Sequence, residues 1–257
     1  MRLCLIIRGH GEKSMSGKIL IGCAGWSVPS AAGASFPAQG SHLERYGAVF
    51  NCVEINTSFY RPHRPDTYAR WRDSVPDDFR FSVKVPRTIT HQARLKDSEA
   101  LLDRFLAEAG NLEQKLGCLL VQLPPSLQFD EEIVSHFFAL LRTRVTLPVV
   151  CEPRHATWGN AAAGAVLARA GVAYAEADPV VVNPAATDTR PEIVYVRLHG
   201  SPDIYRSSYP EETLAAVAVS LAAAAAAGQQ AWCIFDNTAN GAAVPNALSL
   251  RARLTTS

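Results

Sequence analysis

The sequence predicts an α/β protein built as a single-domain (β/α)8 TIM-type barrel. Three observations support this prediction: eight short β-rich runs, seven helical patterns between or after them, and a length of 257 residues. Barrels of this type typically have about 250 residues. A doubly wound open sheet is the alternative, but only Gly22 and Gly25 follow the first strand, where that fold carries a glycine-rich phosphate-binding turn.

The predicted elements follow from hydrophobic period and from turn residues. Apolar runs with β-formers predict the strands, and apolar residues at helical spacing predict the helices. Pro179, Pro184 and Pro191 break the connection between strands six and seven, so we expect an irregular segment there. We assign residues 18–257 to the barrel and residues 1–17 to a poorly structured extension. The expected strands are 19–23, 49–55, 79–85, 118–123, 148–152, 172–177, 193–198 and 231–235, and the expected helices are 40–47, 64–74, 98–115, 130–142, 160–170, 211–227 and 243–253.

The composition limits the class of protein. With 48% hydrophobic and 19% charged residues, disorder, collagen and coiled coil are excluded. Lys and Arg number 25 against 24 Asp and Glu, a net charge of +1. No bulk field therefore draws the protein to nucleic acid or anionic lipid, and an anionic ligand must be held locally. The alanine-rich run 215–227 is too short and too weakly hydrophobic to span a membrane.

The cysteines and the N-terminal residues predict a cytoplasmic protein. The six cysteines form no CxxC pair, and five lie in apolar, strand-like runs, so we expect reduced and buried thiols. The apolar run 3–7 is too short for a secretory signal, and Arg8 follows where small residues would be needed.

Polar residues end seven of the predicted strands in one register. Side chains alternate along a strand, so every second residue faces the barrel interior. Any one such residue is best explained as a structural polar group at the start of a loop. Burying unpaired charges costs several kcal/mol each, so a mouth with this many is paired, ligand-filled or both, and TIM-barrel active sites lie at this end. The residues are Glu54, Asn56, Lys84, Gln122, Glu152, Arg154, Asp178, Arg197, His199 and Asp236.

The chain resembles the YecE-like family, whose domain carries the label of unknown function, from Ile19 to Leu254. The resemblance implies a TIM-barrel fold and a shared mouth site, and it supplies no established reaction. The likeness of such barrels to the DNA- or metal-binding endonuclease IV type is an analogy of fold alone. The segments that carry the resemblance are Gly22-Cys23-Ala24-Gly25-Trp26, Phe50 to Tyr60, Phe81-Ser82-Val83-Lys84-Val85-Pro86 with Thr90-His91, Leu120 to Pro125, Glu152-Pro153-Arg154-His155 with Trp158, Tyr195 to Gly200 with Tyr205 and Tyr209, and Phe235-Asp236-Asn237-Thr238 with Asn246-Ala247.

Two departures from the family pattern affect the expected ligand. The resemblance implies an aromatic-bearing loop after Trp26, whereas residues 28–34 are nearly featureless. Asp236 stands where the pattern implies asparagine, which adds a charge to the mouth. Either change alters the ligand contacts and leaves the fold intact.

Two interpretations treat the mouth as an enzyme site. In metal-assisted hydrolysis, carboxylates and imidazoles from separate strands would hold a divalent metal, although no HxH or HExxH motif indicates one. Without metal, Glu54 would pair with Lys84 or Arg154, and an unpaired member would act as general acid or base. A Schiff-base role for Lys84 needs a desolvated amine, and the expected carboxylate neighbour argues against it. The candidate metal ligands are Glu54, His91, Glu152, His155, Asp178, His199 and Asp236.

The third interpretation is a module that binds without catalysis. Aromatic residues lie just beyond the strand ends among arginines, an arrangement that suits stacking on single-stranded or flipped nucleic acid. For Phe59 and Trp158 we favour packing of loop against loop instead. The aromatic residues are Trp26, Phe59, Tyr60, Trp158, Tyr205 and Tyr209, and the arginines are Arg61, Arg64, Arg87, Arg154 and Arg206.

We therefore expect an enzyme with a polar active site at the C-terminal barrel mouth. Its substrate would be phosphate-containing or sugar-like, with hydrolysis favoured, and the alternative is a non-catalytic module for nucleic acid or a small ligand. The candidate catalytic residues are Glu54, Lys84, His91, Glu152 and His199. The candidate ligand-binding residues are Trp26, Asn56, Tyr60, Gln122, Arg154, Asp178, Arg197, Tyr205, Tyr209, Asp236 and Asn237.

Overall fold

The computed structural model describes residues 17–185 and 190–255 and shows eight parallel strands around a nearly closed barrel. Along the barrel wall their order is β1-β8-β7-β6-β5-β4-β3-β2. The predicted TIM-type barrel is confirmed, while the predicted extension 1–17 lies outside the described residues except for Gly17. The strands are β1 (Ile19–Cys23), β2 (Cys52–Ile55), β3 (Arg80–Lys84), β4 (Leu116–Gln122), β5 (Val149–Glu152), β6 (Val172–Asp178), β7 (Ile193–Leu198) and β8 (Gln230–Phe235).

Helices connect the strands and cover the outside of the barrel. Asp130 caps the helix that follows β4, because its side chain accepts a hydrogen bond from the Ile133 N–H. In the described part of the connection between β6 and β7 there is neither helix nor strand, as its prolines predict. No helix in the described parts of the chain is long and apolar enough to cross a membrane. The helices are α1 (His42–Gly47), α2 (Thr57–Tyr60), α3 (Pro65–Asp73), α4 (Glu99–Ala109), α5 (Glu131–Arg142), α6 (Ala161–Arg169), α7 (Glu211–Ala226) and α8 (Ala243–Thr255).

The single helix predicted over 98–115 is wrong in its second part. The helix ends at Ala109, and residues 110–115 form a 3-10 turn in which Glu113 has φ 50°. Glycine at position 110 is a weak helix former. The Asn111 side chain also donates to the carbonyls of Ala107 and Glu108, so it competes with continued helical hydrogen bonding.

The second strand begins at Cys52 and not at residue 49 as predicted. The Phe50 N–H donates to the Tyr46 carbonyl at 2.9 Å, which continues the turn after α1. The Asn51 side chain bonds to the backbone of β1, donating to the Ile19 carbonyl and accepting from the Ile21 N–H, both at 2.9 Å. Of the residues before Cys52, Phe50 therefore belongs to a turn, while Asn51 contacts β1 through its side chain and accepts a backbone hydrogen bond from the Arg80 N–H of β3 at 3.0 Å.

The barrel interior has two layers. The layer toward the N-terminal strand ends is apolar, and we call it the apolar interior cluster. Above it, toward the C-terminal ends, the inward side chains are charged or polar. Outward residues such as Phe81, Val83 and Val85 pack with the helices, as predicted. The apolar interior cluster consists of Leu20, Cys52, Cys118, Leu120, Val150, Ala173, Ile193, Tyr195, Trp232 and Ile234.

The join between β1 and β2 lacks the regular ladder found between the other neighbouring strands. One isolated bridge, Ala24 to Glu54, links them. The Tyr46 hydroxyl fills the gap: it accepts from the Cys23 N–H at 2.7 Å and donates to the Cys52 carbonyl at 3.0 Å. A Cβ at Gly22 would lie 2.0 Å from the Cys52 carbonyl oxygen, so glycine is required for this close approach.

Candidate active site

Inward side chains from six strands meet at the barrel mouth. The alternation that makes Cys52, Cys118 and Val150 inward also directs the next inward residues of their strands toward the mouth. At the mouth, six ionisable side chains are buried, and the side chains of Gln122 and Arg154 lie half-buried beside them. The six are Glu54, Lys84, Glu152, Arg197, His199 and Asp236.

Asp178 does not share this register, so its predicted inward position is wrong. On β6, Val172 and Tyr174 pack in the outer core, whereas Ala173 packs inside the barrel. Asp178 has the parity of Val172 and therefore falls on the outer side of the strand. Its Oδ1 accepts a hydrogen bond from the Tyr209 hydroxyl at 2.8 Å, which fastens the loop after β7.

Arg197 binds all three carboxylates of the mouth. Its Nη2 and Nε donate to the two oxygens of Glu54, at 2.5 and 2.9 Å. Its Nη1 donates to Glu152 Oε2 at 2.6 Å, and Nη2 also lies 3.1 Å from Asp236 Oδ2. Arg197 and Glu54 are both 0% exposed. Such a two-pronged contact fixes the guanidinium plane as well as the charge.

His199 lies between two carboxylates beneath the mouth surface. Its Nδ1 is 3.0 Å from Asp236 Oδ2, and its Nε2 is 3.0 Å from Glu152 Oε1. Arg154 Nη2 pairs with the same Glu152 oxygen and lies 2.8 Å from His199 Nε2. We call Glu54, Glu152, Arg154, Arg197, His199 and Asp236 the mouth cluster.

The charges of the mouth cluster shift its pKa values. Burial alone would raise the pKa of Glu152, but Arg197, His199 and Arg154 bring it well below its ordinary value. Burial also opposes the ionisation of Asp236, whose pKa is nevertheless lowered by Arg197 and His199. The carboxylates beside Arg197 outweigh its burial and raise its pKa. The two carboxylates therefore stay ionised at neutral pH.

Lys84 is not held by the carboxylates, and the predicted pair with Glu54 is wrong. Glu54 binds Arg197, and Arg154 pairs with Glu152. The Lys84 Nζ lies 4.3 Å from the Phe59 ring centroid, a cation–π contact. Burial and then the charge of Arg197 lower the pKa of Lys84 to about 8, against the opposing carboxylates.

His91 lies on the same side of the mouth as Lys84. Its ring packs edge-on against Phe59 with centroids 4.9 Å apart, and its Nδ1 is 2.9 Å from the Thr90 hydroxyl. Burial, with the charges of Lys84 and Arg87, lowers the pKa of His91. Lys84 and His91 thus share one aromatic neighbour, and the charge of Lys84 disfavours protonation of His91.

Three polar atoms just beyond the strand ends are buried without a partner among the described residues. They are Asn56 Oδ1, Arg154 Nε and Asn237 Oδ1. Asn56 follows β2 one position beyond the pair Ile55–Val83, which places it beside Lys84 on the neighbouring strand. Gln122 Nε2 donates to Glu152 Oε2 at 3.1 Å, so this predicted ligand residue does have a protein partner.

The predicted aromatic residues have different surroundings. Tyr60 is 70% exposed and Tyr205 is 45% exposed, with the Tyr205 ring 5.8 Å from that of His199. Trp26 is half-buried and packs edge-on against Trp71. Phe59 and Trp158 are buried, which confirms the packing predicted for them. Of these five aromatic residues, Tyr60 and Tyr205 are the exposed ones.

Tyr209 and Asn237, predicted to bind ligand, hold loops together. Tyr209 is buried, and its hydroxyl accepts from the Gly200 N–H at 2.8 Å while it donates to Asp178. Asn237 is 0% exposed, and its Nδ2 donates to the Ser207 carbonyl and to Asn246 Oδ1, both at 2.9 Å.

Sequence reasoning missed Tyr195 and Ser82 as part of the site. The Tyr195 hydroxyl lies 2.9 Å from Glu54 Oε2 and 2.7 Å from Ser82 Oγ. Tyr195 lies two residues before Arg197 on β7, and Ser82 lies two residues before Lys84 on β3, so both side chains face inward. This two-residue spacing is visible in the sequence. They form the boundary between the apolar interior cluster and the mouth cluster.

The donor set of the mouth fits ion pairs better than a metal ion. Among residues 17–185 and 190–255, no three His, Cys, Asp or Glu side chains are arranged to hold one. The carboxylates of Glu54, Glu152 and Asp236 instead accept hydrogen bonds from Arg197. A divalent cation bound here would have to displace that guanidinium.

Fold and site together define a single-domain TIM barrel with a buried, charge-paired mouth. The chain belongs to the family described as protein of unknown function DUF72, which matches residues 20–257. The predicted resemblance is thereby confirmed. The family description assigns no reaction.

Relatives and solved structures agree with this membership. UPF0759 protein YecE of Escherichia coli K12 is 40% identical over 106 residues, 41% of this chain and 38% of that protein. UPF0759 protein YunF of Bacillus subtilis 168 is 25% identical over 146 residues, 54% of this chain and 52% of that protein. The match to this chain thus spans about two fifths of the length of YecE and about half of the length of YunF. A DUF72 protein of Thermotoga maritima MSB8 superposes with TM-score 0.77 at 25% identity, covering 92% of this chain and 99% of that one. A DUF72 protein of Enterococcus faecalis V583 superposes with TM-score 0.76 at 22% sequence identity, and the match covers 93% of this chain and 96% of that one.

Proposed function

We propose that the barrel mouth is the active site of an enzyme that acts on a small anionic substrate, phosphate-containing or sugar-like, with hydrolysis as the favoured reaction. One observation carries the proposal. Beside the paired charges, Asn56 Oδ1 and Arg154 Nε are buried without a hydrogen-bond partner among the described residues, and Lys84 Nζ lies over the Phe59 ring without an ion pair to a described carboxylate.

Buried polar groups without a hydrogen-bond partner lower the stability of a folded protein unless a ligand forms hydrogen bonds with them. A buried polar atom without a partner costs about 1–3 kcal/mol, and more when it is charged. Lys84 and Arg154 are donors with positive charge, whereas Asn56 Oδ1 accepts a hydrogen bond. A ligand that satisfies all three carries anionic oxygens together with a hydroxyl or amino donor. A sugar phosphate has both features.

The paired layer beneath would position the groups that meet this ligand. Glu54, Glu152 and His199, predicted to be catalytic, are at most 1% exposed and are bound to Arg197, Arg154 or each other. We therefore give them a positioning role. Asp236 is 8% exposed and is the carboxylate of the mouth cluster that reaches the surface. It is placed to accept a proton from an attacking water.

The first test is ligand stabilisation. The melting temperature would be measured with inorganic phosphate, glucose 6-phosphate and adenosine monophosphate for the wild type, Lys84→Met and Lys96→Met. Lys96 is exposed and serves as the matched control. We expect at least one ligand to stabilise the wild type and Lys96→Met, by about 2.7 kcal/mol at a hundred times its dissociation constant, and to lose this effect in Lys84→Met. No stabilisation of the wild type by any phosphate compound would overturn the proposal.

Catalysis itself would be tested by product release. Phosphate release from the stabilising ester would be followed for the wild type and for Asp236→Asn, which keeps the shape of the side chain. We expect the turnover of Asp236→Asn to fall by about 100-fold or more while the ligand still stabilises the variant. Equal turnover would remove Asp236 from the proposed role.

A non-catalytic nucleic-acid module is the second candidate, favoured by the exposed rings of Tyr60 and Tyr205. Exposed arginines, Arg61 and Arg206, follow each ring directly. Stacking on unpaired bases with nearby phosphate contacts suits this arrangement. Binding of a labelled single-stranded oligonucleotide that weakens steeply with salt and is lost in Tyr60→Ala would favour this function.

A further inference from the structure

We propose that Lys84 forms an imine with the carbonyl carbon of its ligand, so that the substrate class is an anionic, hydroxylated aldehyde or ketone, such as the open-chain form of a sugar phosphate. The proposal rests on the proposed function in one respect: it uses the same mouth. It goes further because it assigns a covalent step and a nucleophile.

Lys84 is buried, and its amine lies in a fixed position at the barrel mouth. The residue is 6% exposed, and its backbone carbonyl accepts a hydrogen bond from the Ser58 hydroxyl at 2.7 Å. Its Nζ lies over the Phe59 ring at 4.3 Å from the centroid. In the described parts of the chain, nothing donates to or accepts from Nζ, and no carboxylate pairs with it.

Arg197 explains why the amine is left without an anionic partner. Three carboxylates occupy the mouth, and Arg197 binds Glu54, Glu152 and Asp236 itself. The same guanidinium adds positive charge near Lys84. Burial and this charge lower the pKa of Lys84 from 10.5 to about 8. Near neutral pH a substantial share of the amine is therefore unprotonated and nucleophilic.

The chemical step is a condensation that releases water. The Lys84 nitrogen attacks the carbonyl carbon, a C–N bond forms, and the C=O electron pair moves to oxygen, which takes a proton as the nitrogen loses one. The hydroxyl then leaves as water with a second proton, and the nitrogen lone pair forms the C=N bond of a protonated imine. Carbonyl, amine and one proton thus give iminium and water, with no oxidant or reductant required.

The neighbours of Lys84 suit this step and define the ligand. The His91 ring touches the same Phe59 ring and is placed to carry protons to and from the carbonyl oxygen. Arg154 Nε, a donor suited to an anionic oxygen, and Asn56 Oδ1, an acceptor suited to a hydroxyl, are buried and have no partner among the described residues. A carbonyl compound with a phosphate and a free hydroxyl uses each of these groups once.

The experiment is reductive trapping on the folded protein. The wild type would be incubated with dihydroxyacetone phosphate and sodium borohydride, which reduces an imine to a stable secondary amine, and the product would be analysed by intact mass and peptide mapping. We expect one adduct per chain, at Lys84. It should form at least about tenfold faster than at exposed Lys96, because a pKa of about 8 in place of 10.5 leaves about two hundredfold more neutral amine at pH 7.5.

Two variants and one parallel measurement make the outcome decisive. Lys96→Met should keep the adduct, whereas Lys84→Arg, which keeps the positive charge, should lose it. Site mapping on the wild type decides the matter even if Lys84→Arg fails to fold. If dihydroxyacetone phosphate raises the melting temperature but labels Lys84 no faster than Lys96, the imine is wrong and the proposed binding function stands. If it gives neither stabilisation nor an adduct at Lys84, both proposals are wrong for this ligand class.

Discussion

The two layers of the barrel interior differ in what they contribute. The apolar interior cluster removes hydrocarbon from water and contains groups such as Trp232 and Leu120, both 0% exposed. The mouth cluster places six ionisable side chains a few residues further along the same strands. Buried ion pairs such as these add little to the stability of the fold, because proteins in which hydrophobic residues replace them are often as stable or more stable. One layer supports the fold, and the other adds little to its stability, as expected if it serves the proposed site.

Tyr195 joins the two layers. Its ring stacks on Trp232 with centroids 5.8 Å apart, while its hydroxyl contacts Glu54 and Ser82. The change from apolar to charged therefore occurs within the length of one side chain. The difference between the layers can be tested by substitutions on either side of this boundary.

The largest effect is expected from Arg197→Met. This change leaves three buried carboxylates without their common partner, so we expect a loss of about 3–5 kcal/mol in the free energy of unfolding at pH 7, measured by urea denaturation. The matched control is Arg104→Met: the Arg104 side chain is 69% exposed and pairs with Glu108 on the same helix, so about 0–1 kcal/mol is expected. Similar losses in the two variants would contradict the central role of Arg197.

The acid dependence of the same variant sharpens the comparison. The lowered pKa values of Glu152 and Asp236 give the wild type a stability that is present above the ordinary carboxyl pKa and is lost as pH falls through the lowered values. Without Arg197 those pKa values rise, so the difference between wild type and Arg197→Met should shrink in acid. A difference that stays constant down to pH 3 would show that the carboxylates are not its source.

Lys84→Met should act in the opposite direction. Methionine removes a buried charge that has no anionic partner, so we expect a gain of about 2 kcal/mol at pH 7 together with loss of ligand stabilisation. The folded-state pKa of about 8 lies below the ordinary 10.5, so the penalty is complete below pH 8 and is relieved as pH rises toward 10.5. The gain over wild type should therefore shrink at high pH. A destabilised variant would assign Lys84 to the structural layer.

Tyr195→Phe should give a smaller loss. The ring and its stacking on Trp232 remain, while Glu54 and Ser82 each lose a hydrogen-bond partner, so we expect about 1–2 kcal/mol. Trp232→Phe tests the apolar side of the same contact, and its loss should not depend on pH. If Tyr195→Phe cost no measurable stability, the hydroxyl would contribute nothing to the hydrogen bonding of Glu54 and Ser82.

The smallest effect on stability is expected at the rim. Tyr60 is 70% exposed, so Tyr60→Ala should change the free energy of unfolding by less than about 0.5 kcal/mol. Its effect on binding separates the two candidate functions. Oligonucleotide affinity should fall markedly if Tyr60 stacks on bases, whereas stabilisation by a sugar phosphate should be unchanged if the ligand lies at Lys84.

The sequence predicted the strands and most of the inward register because two-residue alternation is a local property. It failed on β6, where small residues such as Ala173 and Ala175 carry no clear alternation and Asp178 was assigned to the wrong face. It also failed to predict which charged side chains form ion pairs. Glu54 and Lys84 are on neighbouring strands, yet Arg197 reaches Glu54 across the barrel and replaces that contact. Which charges meet inside a closed barrel depends on side-chain length and on the distance across it, and neither can be read along the chain.

The join between β1 and β2 has a consequence for how the protein is made. β1 forms a full ladder with β8, the last strand, but only one bridge with β2, the next strand to be synthesised. Of the eight barrel strands, β1 is translated first and β8 last, so β1 precedes its main neighbour by the length of the barrel. In that interval, the Tyr46 hydroxyl and the Asn51 amide are nearby groups able to satisfy its backbone. Within the barrel, the strand translated first thus gains its main neighbour last, and a nascent chain released before β8 would expose β1 as an unpaired edge.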